Sequence, residues 1–135
     1  MRKSKPAAAP EISPAEWRIL ELLWQSAPQS AAAIREQLAG VTGWALATVN
    51  TLLRRLADKA AVTSEKAGRE FLYSPAVTRE ACVQRESGSL VDRIFGGKLT
   101  PLVAAFVETG KLSAADLEEL EALLARTRLE NPKQR

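Results

Sequence analysis

Thr48, Asn50, Thr51, Arg54 and Arg55 are the residues of this 135-residue chain whose types and spacing can do chemistry. On a helical wheel at ~100° per residue, Val49, Leu52, Leu53 and Leu56 gather on one side. Ala47, Thr51, Arg54, Arg55 and Asp58 gather on the other, with Thr48 and Asn50 on the flanks. The polar side is short and cationic near its middle. Small residues permit close approach, Asn and Thr can address base edges, and Arg can reach bases or phosphates, which is what a helix in a DNA major groove requires. The plainer reading of the same face is a solvated helix surface with ordinary charges. Context favours the groove. A short helix and a turn precede this segment, and a hairpin follows it with Lys66 and Arg69 at the tip, placed to hold the adjacent backbone or minor groove. By itself, that tip would read as a solubilising turn.

The elements that must position this face can be read from breaks and periodicity. Residues 1–11, with Arg2, Lys3 and Lys5, are basic and rich in Ala and Pro and are expected to form a disordered arm. Ser13-Pro14-Ala15-Glu16 starts a first helix, with Ser as cap, Pro in the first turn and Glu16 closing a capping box. Its apolar stripe is Trp17, Leu20, Leu23 and Trp24, and it ends before Pro28. Ser30 opens a second helix that turns Ile34 and Leu38 inward and is broken at Gly40-Val41-Thr42-Gly43. A third runs from about Ala45 to Lys59. Residues 61–64 and 71–73 then read as strands around the turn 66–69, where Gly68 can supply a positive φ, and Pro75 closes the hairpin.

This order predicts a mainly α fold with a β wing: a winged helix-turn-helix over residues 12–76, followed by a helical region over 77–135. Three helices are expected in the latter: from Thr78 to a stop at Gly96-Gly97, from about Pro101 to Glu108, and from Ser113 onward. Leu90, Ile94, Phe95, Leu102, Leu117, Leu120 and Leu124 lie on their apolar faces, and this stretch is too short to close a private core easily. Pairing with a second copy, as a homodimer, is the expectation.

Composition removes other function classes. The chain has no histidine and a single cysteine, Cys82, so the usual ligands of zinc or a soft metal are missing, and so is any His-based general base. No phosphate loop or nucleophile motif is present, and neither an enzyme nor a cofactor is expected. Cys82 cannot form an internal disulfide, and no apolar run approaches the ~20 residues needed to span a bilayer, so a cytoplasmic protein without a membrane partner is expected. Residues 35–69 carry six basic against three acidic side chains, whereas 101–135 carry five against six, so the basic excess lies in the first half. The tryptophans lie on or beside apolar faces and read as packing residues, and Cys82 as a buried inert thiol or an incidental exposed one.

Several separated motifs together resemble the penicillinase-repressor family, the BlaI/MecI repressors and the related copper repressors. Residues 12–17 with Leu23-Trp24 resemble its opening helix, 47–56 its recognition helix, 68–75 its wing, and 90–97 with Leu102-Val103 and Leu112-Ser113 its dimerisation region. The resemblance implies a homodimeric repressor on a pseudo-palindromic double-stranded operator, controlling resistance or stress genes. It places the DNA-reading positions at Ala47, Thr48, Asn50 and Thr51, with Asn50 standing where many relatives carry Arg. Relatives are cleaved by a regulatory protease between an Asn and a Phe. The corresponding pair here is Ala105-Phe106, which keeps the Phe and lacks the Asn. Copper sensing would need paired cysteines that residues 113–135 lack. The alternative from another class is a winged-helix protein-interaction module that does not touch DNA.

Overall fold

The computed structural model describes residues 9–130. The described elements are α1 (Pro14–Gln25), β1 (Gln29–Ser30), α2 (Ala31–Thr42), α3 (Leu46–Asp58), β2 (Val62–Ala67), β3 (Glu70–Pro75), α4 (Arg79–Phe95), α5 (Leu99–Glu108) and α6 (Ala114–Glu130). The three strands form an antiparallel sheet in the order β1-β3-β2. The architecture is the expected winged helix-turn-helix followed by helices. Contacts divide the chain into two compact units between Ser89 and Leu90.

The core of the first unit forms where α1, α2 and α3 turn their apolar sides to one another. Ile19, Leu20, Leu23, Ile34, Leu38, Val49, Leu52, Leu53 and Leu56 are buried, joined by Ala61, Val62 and Cys82. Each fully buried Leu or Ile contributes about 1.5–3 kcal/mol of transfer free energy, so the four inward residues of α3 hold that helix firmly by one side. Trp17 and Trp24 pack edge-to-face, with ring centroids 5.6 Å apart, and border this core as packing residues. The Trp24 indole donates to the carbonyl of Val77 at 2.9 Å. Burial pushes the Cys82 thiol up, away from the reactive thiolate.

Several boundaries differ from those read in the sequence. The α2 helix runs through Gly40 and ends at Gly43, which adopts the left-handed conformation (φ 68°) as its cap. Two residues form β1, pairing Gln29 with Tyr73 and Ser30 with Leu72. The Gln29 amide is buried and donates to the carbonyl of Ser26 at 2.6 Å, so the turn before α2 is tied from within. Pro101 lies in the first turn of α5 rather than at its start, a position that needs no intrahelical N–H bond. The first part of α4 belongs with the winged helix, because Cys82 fills the core and Arg79 pairs with Glu21 at 3.3 Å. Residues 1–8 of the expected arm lie outside the described residues, as do 131–135. At the arm's inner end the structure differs from the expected disorder: Ala9 is buried in the core cluster beside Ile12.

One carboxylate joins the two ends of the helical core. Ser13 caps α1 by accepting from Glu16 N, and Glu16 Oε1 accepts in return from Ser13 N at 2.9 Å. Glu16 is also buried, and Lys59 Nζ, at the C-terminal cap of α3, reaches the same oxygen at 2.6 Å and the carbonyl of Glu11 at 2.7 Å. Just past Lys59, Ala60 takes φ 62° and Ala61 N donates to the carbonyl of Leu56, closing the α3 terminus with an alanine in the place glycine usually fills.

The wing is a two-residue hairpin. Lys66 pairs with Phe71 and Ala67 with Glu70, leaving Gly68 and Arg69 as the loop. Gly68 has φ 66°, and Arg69 is not among the positive-φ residues, the pattern of a type II′ turn.

Two stability experiments follow from these contacts. Burial pushes the Glu16 carboxyl up, but the Lys59 and Ser13 hydrogen bonds and the Lys59 charge outweigh it and hold the group below its usual value. A carboxylate with a depressed folded-state value contributes its stability above the unfolded value and loses it as pH falls through the folded one. Glu16→Gln, which retains capping ability, is therefore expected to cost about 1–2 kcal/mol at neutral pH, a discounted figure because Lys59 remains 32% exposed. The difference in urea midpoint should begin to shrink as pH falls past the ordinary glutamate value of about 4.3 and vanish only below the lowered folded-state value. Gly68→Val is expected to cost about 1–2 kcal/mol through backbone strain alone, since no atom lies within 4 Å of a Cβ built there. Amide exchange should quicken in β2 and β3 and stay slow in α1 and α3.

Candidate nucleic-acid interface

The face opposite the buried stripe of α3 is open. Ala47, Thr48, Asn50, Thr51, Arg54 and Arg55 are all exposed, whereas Val49, Leu53 and Leu56 are fully buried. The helix is thus clamped by one side and offers the other, which is the mechanical requirement for a rigid reading head. Thr51 Oγ1 donates to the carbonyl of Ala47 at 3.0 Å, so its hydroxyl proton is spent on the helix and the oxygen can still accept.

Arg69 stands in the wing loop and is exposed. Lys66 does not sit at the tip as expected. It lies in β2 with its ammonium 5.4 Å from the centroid of the Phe71 ring, so its charge is carried on an aromatic support. Among the described residues, the ion pairs are Lys59–Glu16 and Arg79–Glu21, and neither engages Arg54, Arg55, Lys66 or Arg69. These four cations have no acidic ion-pair partner among the described residues.

Between α3 and the wing runs a groove of ≈ 330 Å³ whose lining includes Ser30, Leu46, Asn50, Arg69, Phe71 and Tyr73. It brings Asn50 and Arg69 to one cleft. Leu46 and Phe71 were not singled out in the sequence, although both are large apolar residues that remain more than 40% exposed. The available signal for Leu46 was its place one turn before Asn50 on the wheel. Phe71 was read only as a strand residue.

The residues expected to dimerise are in the second unit, and none of them is fully buried there. Neither α5 nor α6 has a buried residue, and Ile94, Phe106, Leu117 and Leu124 are all exposed. Leu90, Phe95, Leu102 and Leu120 are half-buried. Ala105 and Phe106 lie within α5, in helical backbone, so a protease could reach the bond between them only after that helix opens locally. Among the described residues there is no group of three potential metal-ligating side chains, and no helix is long and apolar enough to cross a membrane.

The geometry can be set beside known proteins. A family model described as "Penicillinase repressor" matches residues 12–126. The penicillinase repressor of Bacillus licheniformis is 30% identical over 115 residues, covering 85% of this chain and 90% of the relative. The methicillin resistance regulatory protein MecI of Staphylococcus aureus strain N315 is 31% identical over 114 residues, covering 84% and 93%. The solution structure of the DNA-binding domain of the repressor BlaI superposes with a TM-score of 0.50 at 26% identity, over 57% of this chain and 93% of that domain. These relatives are transcriptional repressors, not enzymes. The chain, a winged-helix protein from α1 to the wing, belongs to the penicillinase-repressor family.

Proposed function

We propose that this repressor acts as a homodimer on a pseudo-palindromic operator in double-stranded DNA, with α3 in the major groove and the wing on the adjacent backbone, and that it controls resistance or stress genes. The observation that carries the reading is the division of α3 into two faces. One is locked by four buried aliphatic residues. The other presents Thr48, Asn50, Thr51, Arg54 and Arg55 with no acidic partner for the arginines among the described residues. Ala47 allows the backbone to approach the bases, Asn50 can pair with adenine, Arg54 and Arg55 reach guanine or phosphate, and Lys66 and Arg69 grip the flanking strand.

The second unit supplies the dimer. Exposed leucines and isoleucine on short helices are expensive in water, and a second copy presenting the same surface covers both sets at once. A two-fold dimer then places two α3 helices on half-sites about 34–36 Å apart, one turn of the duplex.

Fluorescence anisotropy on a duplex selected by the protein from a random-sequence pool tests the groove. Binding is expected near the nanomolar range at physiological salt. Arg54→Ala and Arg55→Ala should each weaken it, and where the contact is to phosphate the log–log salt slope should fall by about one. Unchanged affinity in both variants would remove α3 as the reading head, and absence of any selected duplex would favour an interaction module that binds protein instead. The dimer has its own test. Ile94→Asp places a charge on the face to be covered, so sedimentation should show a monomer, and affinity for the full operator should drop roughly 100-fold as the two half-sites become independent. Binding to a single half-site should hardly change.

A further inference from the structure

Leu46 is the first residue of α3, and it remains 43% exposed while Leu52, Leu53 and Leu56 of the same helix are 6%, 0% and 0% exposed. It shares the groove beside the wing with Asn50, one helical turn on, and with Phe71, itself 47% exposed. An aliphatic side chain left half-exposed at the head of a groove-reading helix is free to take an apolar partner. The major groove offers one such group, the 5-methyl of thymine. Residues near the N-terminus of a recognition helix are also the ones that reach base edges.

The neighbouring chemistry points the same way. Guanine is read chiefly by Arg or Lys, and the first two turns of α3, residues 46–51, carry no cation. Asn50 is the side chain suited to the N6/N7 edge of adenine. Thr51 Oγ1 donates to the Ala47 carbonyl, so in this arrangement its oxygen is left to accept, which fits an amino group on adenine or cytosine.

We infer that Leu46 is a specificity-determining residue that packs on a thymine methyl, next to a base pair whose adenine is taken by Asn50, so that the part of each half-site under the head of α3 is an A·T step. This rests on the operator reading above. The plain structural alternative is that Leu46 serves only to pack the wing through Phe71.

Uracil separates the two, because it differs from thymine only by the methyl. The probe is the duplex that the wild-type protein selects from a random-sequence pool, resynthesised with each thymine replaced in turn by uracil. One position in each half-site is expected at which uracil weakens wild-type binding roughly fourfold, the worth of one buried methyl. Leu46→Ala should bind the thymine and uracil duplexes equally at that position while retaining its salt slope. Equal wild-type binding to both at every position, or an undiminished uracil penalty in Leu46→Ala, overturns the role of Leu46 and leaves DNA binding standing. Failure of the wild type to enrich any sequence overturns the operator reading, and this inference with it.

Discussion

A carboxylate taken out of water needs hydrogen-bond partners, and Glu16 Oε1 finds them in groups from separate parts of the chain. The Ser13 amide comes from the cap of α1, and the Lys59 ammonium from the cap of α3. Lys59 in turn spans back to the carbonyl of Glu11. A buried ion pair adds little net stability compared with an apolar pair of the same volume, but it tolerates few geometries and is costly to break from one side. Its effect is therefore on position. The start of α1 and the end of α3 are tied together, while the apolar stripe between them supplies most of the burial energy. A helix fixed along one side and at its far end has little freedom to roll, which suits the proposed role of α3 in reading base edges at hydrogen-bond distances.

Much of this was legible in the sequence because it depends on local rules. Ser13 to Glu16 predicts a reciprocal cap, and both bonds form. The same rule applies at α6, where Ser113 and Asp116 exchange backbone-to-side-chain bonds at 3.0 and 3.1 Å. Val49, Leu52, Leu53 and Leu56 were assigned inward from periodicity alone, and all four are buried. What could not be read depends on distance along the chain or on very short elements. Lys59 and Glu16 lie 43 residues apart, and nothing in the type of either names the other. A two-residue strand such as β1 is shorter than one period of alternation and exists only because β3 offers it an edge. The break expected over Gly40–Gly43 falls at its last residue, since a helix interior tolerates one glycine at about 1 kcal/mol and the left-handed stop is Gly43.

The candidate interface shows the same limit from the other side. Which residues of α3 are exposed follows from the wheel. Their readiness for a ligand depends on partners that the wheel does not show. Arg54 and Arg55 could have been neutralised by acidic residues elsewhere in the fold, and Thr51 could have kept its proton. The structure answers both points, since the ion pairs among the described residues leave both arginines aside and the Thr51 hydroxyl is turned to Ala47. Lys66 illustrates the converse. The sequence gives it a charge in a turn, whereas the strand register carries it back from the tip and over Phe71.

Charge also distinguishes α6 from the stretch that holds α3 and the wing, in a way that matters for a protein meeting a polyanion. The α6 helix carries Asp116, Glu118, Glu119, Glu121 and Glu130 against Arg126 and Arg128. The stretch from Arg35 to Arg69 carries the opposite balance. Exposed apolar helices with a basic rim would adhere to any phosphate backbone and compete with the recognition helix for it. The acid-rich α6 offers a duplex no such adhesion and repels a phosphate backbone within a Debye length of about 8 Å at physiological salt. In the proposed dimer, two copies meeting there would bring acid-rich helices together, a repulsion that the burial of their leucines and isoleucine would have to exceed. On the proposed reading, long-range attraction to DNA is then concentrated on the α3 and wing surfaces.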